Sequence, residues 1–275
     1  MADLLVYSPD DGANLLLNDL ALRHDYRVKS TSDLETANKW LELRSFDLLF
    51  IHASTAVPVQ QAMAGKLWEH NPSSPVYMFD LQSQSEKVPY ARLFGAEIAL
   101  GDGALDILER ALTEFKKNRF VPSSEFNIMI VEDLDSPREI ISIFLENMGY
   151  SNVKGFSSAQ AALEALNAGP KQFSCIITDI RMPRMTGQQL IEEVRKDQRF
   201  GHLPIIVLTA YGTVDCLIDC LEAGATGFLV KPPKGADMQR EVRRAQRVFS
   251  HRMNPRLASE QDIESVRSVI LDRGL

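Results

Sequence analysis

Cysteine is scarce in this chain: three of 275 residues, at positions 175, 216 and 220. Three thiols make neither a disulfide framework nor a closed four-ligand zinc site. One stands in an apolar run and two stand one helical turn apart, so packed, reduced thiols are expected. Long hydrophobic runs are missing too. No stretch of 18 apolar residues occurs, and membrane insertion is not expected. The start, Met1-Ala2-Asp3, is acidic and leads straight into a strand pattern, unlike a secretory leader, so the expected location is the cytoplasm. A basic excess is absent as well. The net charge of −7 divides into −5 over residues 1–122 (12 basic, 17 acidic) and −2 over residues 123–275 (18 basic, 20 acidic). Neither half has the positive balance of a nucleic-acid binder, so no direct nucleic-acid partner is expected. The arginines at 240, 243, 244 and 247 read as a solvated helix face or a dimer contact.

What is present is a repeated rhythm. Length favours two domains, and 45% hydrophobic residues supply ordinary cores. In the first half, strands are expected at 4–7, 26–30, 46–51, 76–79 and 98–100. A helix is expected after a turn at 8–12, with Leu15, Leu16, Leu20 and Leu22 as its face, and further helices over 33–44, 59–70, 87–94 and 104–117. His52, at the end of the third strand, reads as a partly buried histidine with a backbone partner. The composition then breaks at 116–125. The second half restarts with strands at 127–131, 153–156, 175–179, 204–209 and 227–230. Its helices are expected at 136–148, 159–168, 186–196, 214–223 and 237–250, the first opened by a capping box of Ser136 and Glu139 with Pro137 at its first position. Strands alternating with helices argue for an α/β fold with a parallel sheet covered on both faces.

The halves also overlay phrase by phrase: 46–52 on 173–179, 74–76 on 203–205, and Gly95-Ala96 on Gly224-Ala225. The chain therefore reads as a duplicated domain, with one unit over 1–118, a linker over 119–126, a second unit over 127–250 and a tail over 251–275. The tail carries a further short helix, opened by residues 259–262 and bearing Ile263, Val266, Val269 and Ile270 on one side.

In the second half the strand ends carry Glu132 and Asp133, Asp179, Thr209 and Lys231. An isolated acid at a strand end is most often a turn residue. A parallel sheet, however, brings all these ends to one edge, where open α/β sheets bind ligands. Three carboxylates there repel one another unless a cation sits among them. Oxygen donors with room for water suit Mg²⁺. A lysine and a threonine opposite can hold phosphoryl oxygens, and an aspartate in that setting can be a nucleophile that forms an acyl phosphate.

Residues 127–250 closely resemble the receiver domain of two-component response regulators. The resemblance rests on Val131-Glu132-Asp133, Asp179-Ile180-Arg181-Met182-Pro183, Leu208-Thr209-Ala210 and Lys231-Pro232. It implies a flavodoxin-like (βα)5 fold with sheet order 2-1-3-4-5 for each half. It implies Asp179 as phosphoacceptor and one Mg²⁺ held by Asp133 and Asp179, by Glu132 through water and by the carbonyl of Arg181. Thr209 and Lys231 would bind the phosphoryl group, and Phe228 would move with Thr209 as a switch. Met182 and Tyr211 would flank the site. The bulk of Arg181 and Tyr211 leads us to expect slow hydrolysis of the phosphoryl group. The donor would be a histidine kinase or a phosphotransfer protein, and the output a protein contact, a homodimer or a downstream target. No enzymatic activity is implied.

The first half looks like the same fold with the site erased: Ser8 and Pro9 for the acidic pair, His52 for Asp179, Asp80 for Thr209 and Asp102 for Lys231. It reads as a pseudo-receiver for docking or dimerisation. Two rivals remain for the whole. An aspartate-nucleophile phosphatase of the haloacid dehalogenase type needs a second acid two residues after the nucleophile, where Arg181 stands. A scaffold indifferent to phosphorylation would carry Asp179 as a vestige.

Overall fold

The runs Asp3–Tyr7, Leu48–His52 and Val76–Asp80 are buried along nearly their whole length, as strands covered on both faces must be. A computed structural model of the chain describes residues 1–71, 74–82, 91, 95–117, 124–169, 172–210, 214–258 and 263–264. The chain divides into two units, Met1–Phe120 and Val121–Leu275. Most of the expected linker (119–123), most of the helix expected at 87–94, Tyr211, and the tail helix apart from Ile263 and Glu264 lie outside the described residues. No described helix is long and apolar enough to cross a membrane.

The first unit runs β1 (Asp3–Tyr7), α1 (Asp11–Arg23), β2 (Arg27–Thr31), α2 (Leu34–Leu43), β3 (Leu48–His52), α3 (Val57–His70), β4 (Val76–Asp80), β5 (Glu97–Leu100) and α4 (Ala104–Lys117). Its sheet is parallel, in the order β2-β1-β3-β4-β5. Alternate strand residues pack to opposite sides. Leu4, Val6, Phe50 and Phe79 meet α1 and α4, while Leu5, Leu49, Ile51 and Met78 meet α2 and α3. Asp33 caps α2 by accepting the N–H of Thr36 at 2.8 Å, and a hydrogen bond from the Thr36 side chain together with this one holds its carboxyl below the usual range. Trp40 and Trp68 pack against the second of these cores.

The expected face of α1 needs correction. Ala13, Leu17, Leu20 and Ala21 are buried, while Leu15, Leu16 and Leu22 are 71%, 42% and 55% exposed. Leucines occur on every side of this helix, so leucine identity could not mark the inner stripe. The small Ala13 and Ala21 complete it at the i, i+4, i+7, i+8 spacing.

The second unit runs β6 (Ile128–Val131), α5 (Asp135–Asn147), β7 (Val153–Phe156), α6 (Ala159–Ala168), β8 (Cys175–Thr178), α7 (Gly187–Lys196), β9 (Ile205–Thr209), α8 (Val214–Ala223), β10 (Gly227–Val230) and α9 (Gly235–Ser250). Its parallel sheet has the order β7-β6-β8-β9-β10, which is again 2-1-3-4-5. The capping box expected at Ser136 is not formed. Helix α5 begins at Asp135, and its cap residue Leu134 makes no side-chain bond. Proline is tolerated throughout a first helical turn, where no N–H has an intrahelical partner, so Pro137 marks the turn but not its first residue. Cys175 and Cys220 are buried and Cys216 half-buried, all three as free thiols. Burial pushes the Cys175 and Cys220 thiols well up. The arginine series of α9 is not a solvated face: Arg244 is buried and pairs with the buried Glu241 at 3.4 Å, and Arg240 pairs with Asp237 at 2.8 Å.

Beyond α9 the chain folds back on its own unit. The Leu257 N–H donates to the Ala225 carbonyl at 2.8 Å, and the Thr226 hydroxyl donates to the Pro255 carbonyl at 2.5 Å while accepting the Ile205 N–H at 2.9 Å. Leu257 and Ala258 are buried. Thr226→Val keeps the shape and removes these two bonds of the hydroxyl together with a longer one accepted from Arg195 Nη2 at 3.5 Å. It is expected to cost about 1–3 kcal/mol, since it strands a buried amide. Hydrogen exchange should show faster exchange at the Leu257 amide.

Candidate functional site

Strand register assembles the site. Val131 pairs with Thr178, and the Asp179 N–H donates to the Val131 carbonyl at 2.9 Å, so Glu132 and Asp179 leave neighbouring strands side by side. Val230 pairs with Thr209, and the Lys231 N–H donates to the Thr209 carbonyl at 2.7 Å, which places Lys231 on the same edge. Oxygens of Glu132, Asp133 and Asp179 lie within 4.8 Å of one another. The Lys231 Nζ stands 2.5 Å from Glu132 Oε2 and 3.1 Å from Asp179 Oδ2.

The chemistry of this cluster follows from its burial. Glu132 is 1% exposed, and its Oε1 has no hydrogen-bond partner. Asp179 Oδ1 accepts the N–H of Ile180 at 2.8 Å, and Oδ2 faces Lys231. Three carboxylates against one ammonium leave an excess of negative charge, and each like-charge contact at this spacing costs on the order of 3–4 kcal/mol at an intermediate dielectric. A divalent cation would relieve that repulsion. The all-oxygen donor set and the orphaned Glu132 Oε1 fit Mg²⁺, which binds through a few carboxylates and keeps water.

The remaining expected residues fall into place unevenly. Thr209 is buried at the end of β9. Phe228 is half-buried and packs against the second unit's core. Met182 belongs to that core rather than to the rim, at 6% exposure, whereas Arg181 is exposed. The apolar thioether packs with Leu190 and Ile191 of α7 in that core.

Two neighbours of the site carry more than their sequence contexts suggested. Gly187, the first residue of α7, lies against the Asp179 backbone: a Cβ there would stand 2.0 Å from the Asp179 carbonyl oxygen. The Gly187 N–H also donates to the Ile180 carbonyl at 2.9 Å. Arg138, which read only as part of a helix start, donates to the Glu132 carbonyl at 2.7 Å. A glycine at a helix start just after the strand that delivers Asp179 was the one available sequence signal.

The corresponding edge of the first unit is built differently. Ser8 is buried, and its carbonyl accepts from Asn14 Nδ2 at 2.8 Å. His52 Nδ1 meets Ser54 Oγ at 2.8 Å and accepts the Ser54 N–H at 3.2 Å, with its ring edge-on to Phe79 at 5.3 Å. Asp80 pairs with Leu100 as Thr209 pairs with Val230, so the counterpart of Lys231 is Gly101, not Asp102. The shift is present from the start of β5, where Tyr77 pairs with Glu97 while Ile206 pairs with Gly227, so the path from β4 to β5 is one residue shorter than that from β9 to β10. Among the described residues no cluster of three potential metal ligands lies in this unit.

A doubly wound parallel sheet with acids at the ends of its first and third strands and a lysine after its fifth defines a receiver. The family model of the response regulator receiver domain matches residues 128–243, and the chain belongs to that family. It is similar to the chemotaxis protein CheY of Pseudomonas aeruginosa, with 38% identity over 105 residues, which are 38% of this chain and 83% of that protein. It is similar also to the chemotaxis protein CheY-3 of Vibrio cholerae, with 30% identity over 120 residues, covering 44% of this chain and 91% of that protein. Among solved structures, the chemotaxis protein CheY4 of Vibrio cholerae matches with 29% identity and a TM-score of 0.41, covering 44% of this chain and 98% of that one. The family match and the two sequence alignments place the chain among two-component response regulators.

Proposed function

We propose that the second unit is the loaded receiver of a phosphorelay and that the first is a silent copy serving as a docking or dimerisation module. Asp179 is the phosphoacceptor. One of its carboxylate oxygens attacks the phosphorus of a phosphohistidine on a histidine kinase or phosphotransfer protein. The P–N bond breaks, its electron pair and a proton go to the departing imidazole, and an acyl phosphate remains. Glu132, Asp133 and Asp179, with the Arg181 carbonyl, would hold Mg²⁺, which when bound neutralises phosphoryl oxygens. Lys231, already 3.1 Å from Asp179 Oδ2, takes a phosphoryl oxygen as charge builds on it. Thr209 takes another, and Phe228 follows its movement, so that phosphate biases two conformations of the β9–β10 side. In this reading the chain works in the cytoplasm by changing its protein contacts rather than by turning over a substrate.

The observation that carries the reading is the convergence of three carboxylates and one ammonium at the strand ends of one unit. Incubation with acetyl phosphate should add a phosphoryl group in Mg²⁺ and none in excess EDTA. Incorporation that is equally fast in EDTA would contradict the metal assignment.

A further inference from the structure

We infer that Arg138 is a positioning residue that holds the acidic loop in its metal-binding shape, and that Gly155 is the slot that admits it. The inference rests on the reading of Asp179 and its acidic neighbours as the metal site, but concerns a residue that touches none of the three carboxylates. Glu132 is gripped from two sides through its backbone. Its N–H donates to the Phe156 carbonyl at the end of β7 at 3.0 Å, and its own carbonyl accepts from Arg138 Nη1 at 2.7 Å. The other arm of the same guanidinium pairs with Asp135. One planar fork therefore links the Glu132 carbonyl to Asp135, the first residue of α5, with Asp133 and Leu134 in the short loop between them.

The stem of Arg138 reaches this place by crossing β7 at Gly155. A Cβ on residue 155 would stand 2.9 Å from Arg138 Cδ, 3.1 Å from Cγ and 3.3 Å from Nε. Glycine in a strand weakens it, and a glycine that a neighbouring side chain crosses this closely has a packing reason to be there. The pair forms a device: the fork ties the backbone of Glu132 to the first turn of α5, and the bare backbone of β7 gives the fork its path. Lysine would keep the charge but could not span both acceptors, because it lacks the rigid fork. Outer-shell partners of this kind commonly govern metal affinity by about 10–100-fold.

The test uses Mg²⁺ affinity of the full chain, measured calorimetrically without any phosphoryl donor, alongside thermal unfolding in EDTA. Arg138→Met should weaken Mg²⁺ binding by about tenfold at nearly unchanged unfolding temperature. Arg138→Lys should recover only part of the loss. Gly155→Val, which displaces the stem from the β7 side, should weaken binding in the same direction. Combined with Arg138→Met it should add little further loss, since both changes remove one contact. Parental affinity in Arg138→Met, or full additivity in the double variant, would overturn the positioning role while leaving the metal site standing. A parent that binds no Mg²⁺ would overturn both.

Discussion

Gly187→Ala is expected to cost the second unit about 3 kcal/mol or more and to abolish phosphoryl uptake, although residue 187 has no side chain and no part in the chemistry. The added Cβ would stand 2.0 Å from the Asp179 carbonyl oxygen, 2.9 Å from its carbonyl carbon and 3.0 Å from Ile180 Cα. All three are backbone atoms at the end of β8, so no rotamer change relieves the clash. Either α7 withdraws, losing the bond from the Gly187 N–H to the Ile180 carbonyl and the packing of Leu190, Ile191 and Val194, or the Asp179 backbone moves out of line with Glu132. Overpacking of a rigid contact sits at the upper end of the usual 1–3 kcal/mol range or beyond it. Thermal unfolding and acetyl phosphate labelling of the variant would measure the two effects together. Parental values in both would show that α7 yields at little cost.

Lys231→Met is expected to separate metal binding from phosphoryl transfer. In the parent the ammonium lies between Glu132 and Asp179, at 2.5 Å and 3.1 Å, with Glu132 almost fully buried. Removing it leaves a buried carboxylate without its partner, which should destabilise the unit by about 2–4 kcal/mol in EDTA. The same change removes a positive charge that competes with a cation for those oxygens. Mg²⁺ should therefore bind more tightly, by roughly tenfold, and restore part of the lost stability. Phosphoryl transfer should nevertheless fall by at least about 100-fold, because the group proposed to stabilise charge on the transferring oxygens is gone. Weaker Mg²⁺ binding in the variant would mean that the lysine supports the metal site rather than competing with it.

The order of elements and the convergence of strand ends were legible because both follow from local pattern. Apolar runs at 4–7, 46–51 and 175–178 read as buried strands, and an acid after such a run goes to the sheet edge whatever surrounds it. The sheet order, by contrast, came only with the family resemblance, since periodicity does not say which strands are neighbours. Sequence reading failed where identity is degenerate or where space decides. Leu15, Leu16 and Leu22 face outward because a leucine-rich helix hides its inner stripe. Arg244 is buried because Glu241 pairs with it, a fact that no count of charges reveals. Asp102 missed the Lys231 position by one residue because only strand pairing sets that register. Gly187 and Arg138 contact backbone atoms of the site, and apart from the glycine at the start of α7 such contacts leave no residue-type signature.

The central claim is that one of two copies is live. Its most direct test is the intact mass of the full chain after incubation with Mg²⁺ and acetyl phosphate, for the parent and for Asp179→Ala. The account predicts one added phosphoryl group in the parent and none in the variant. A second group in the parent, or retention of the group in Asp179→Ala, would contradict it.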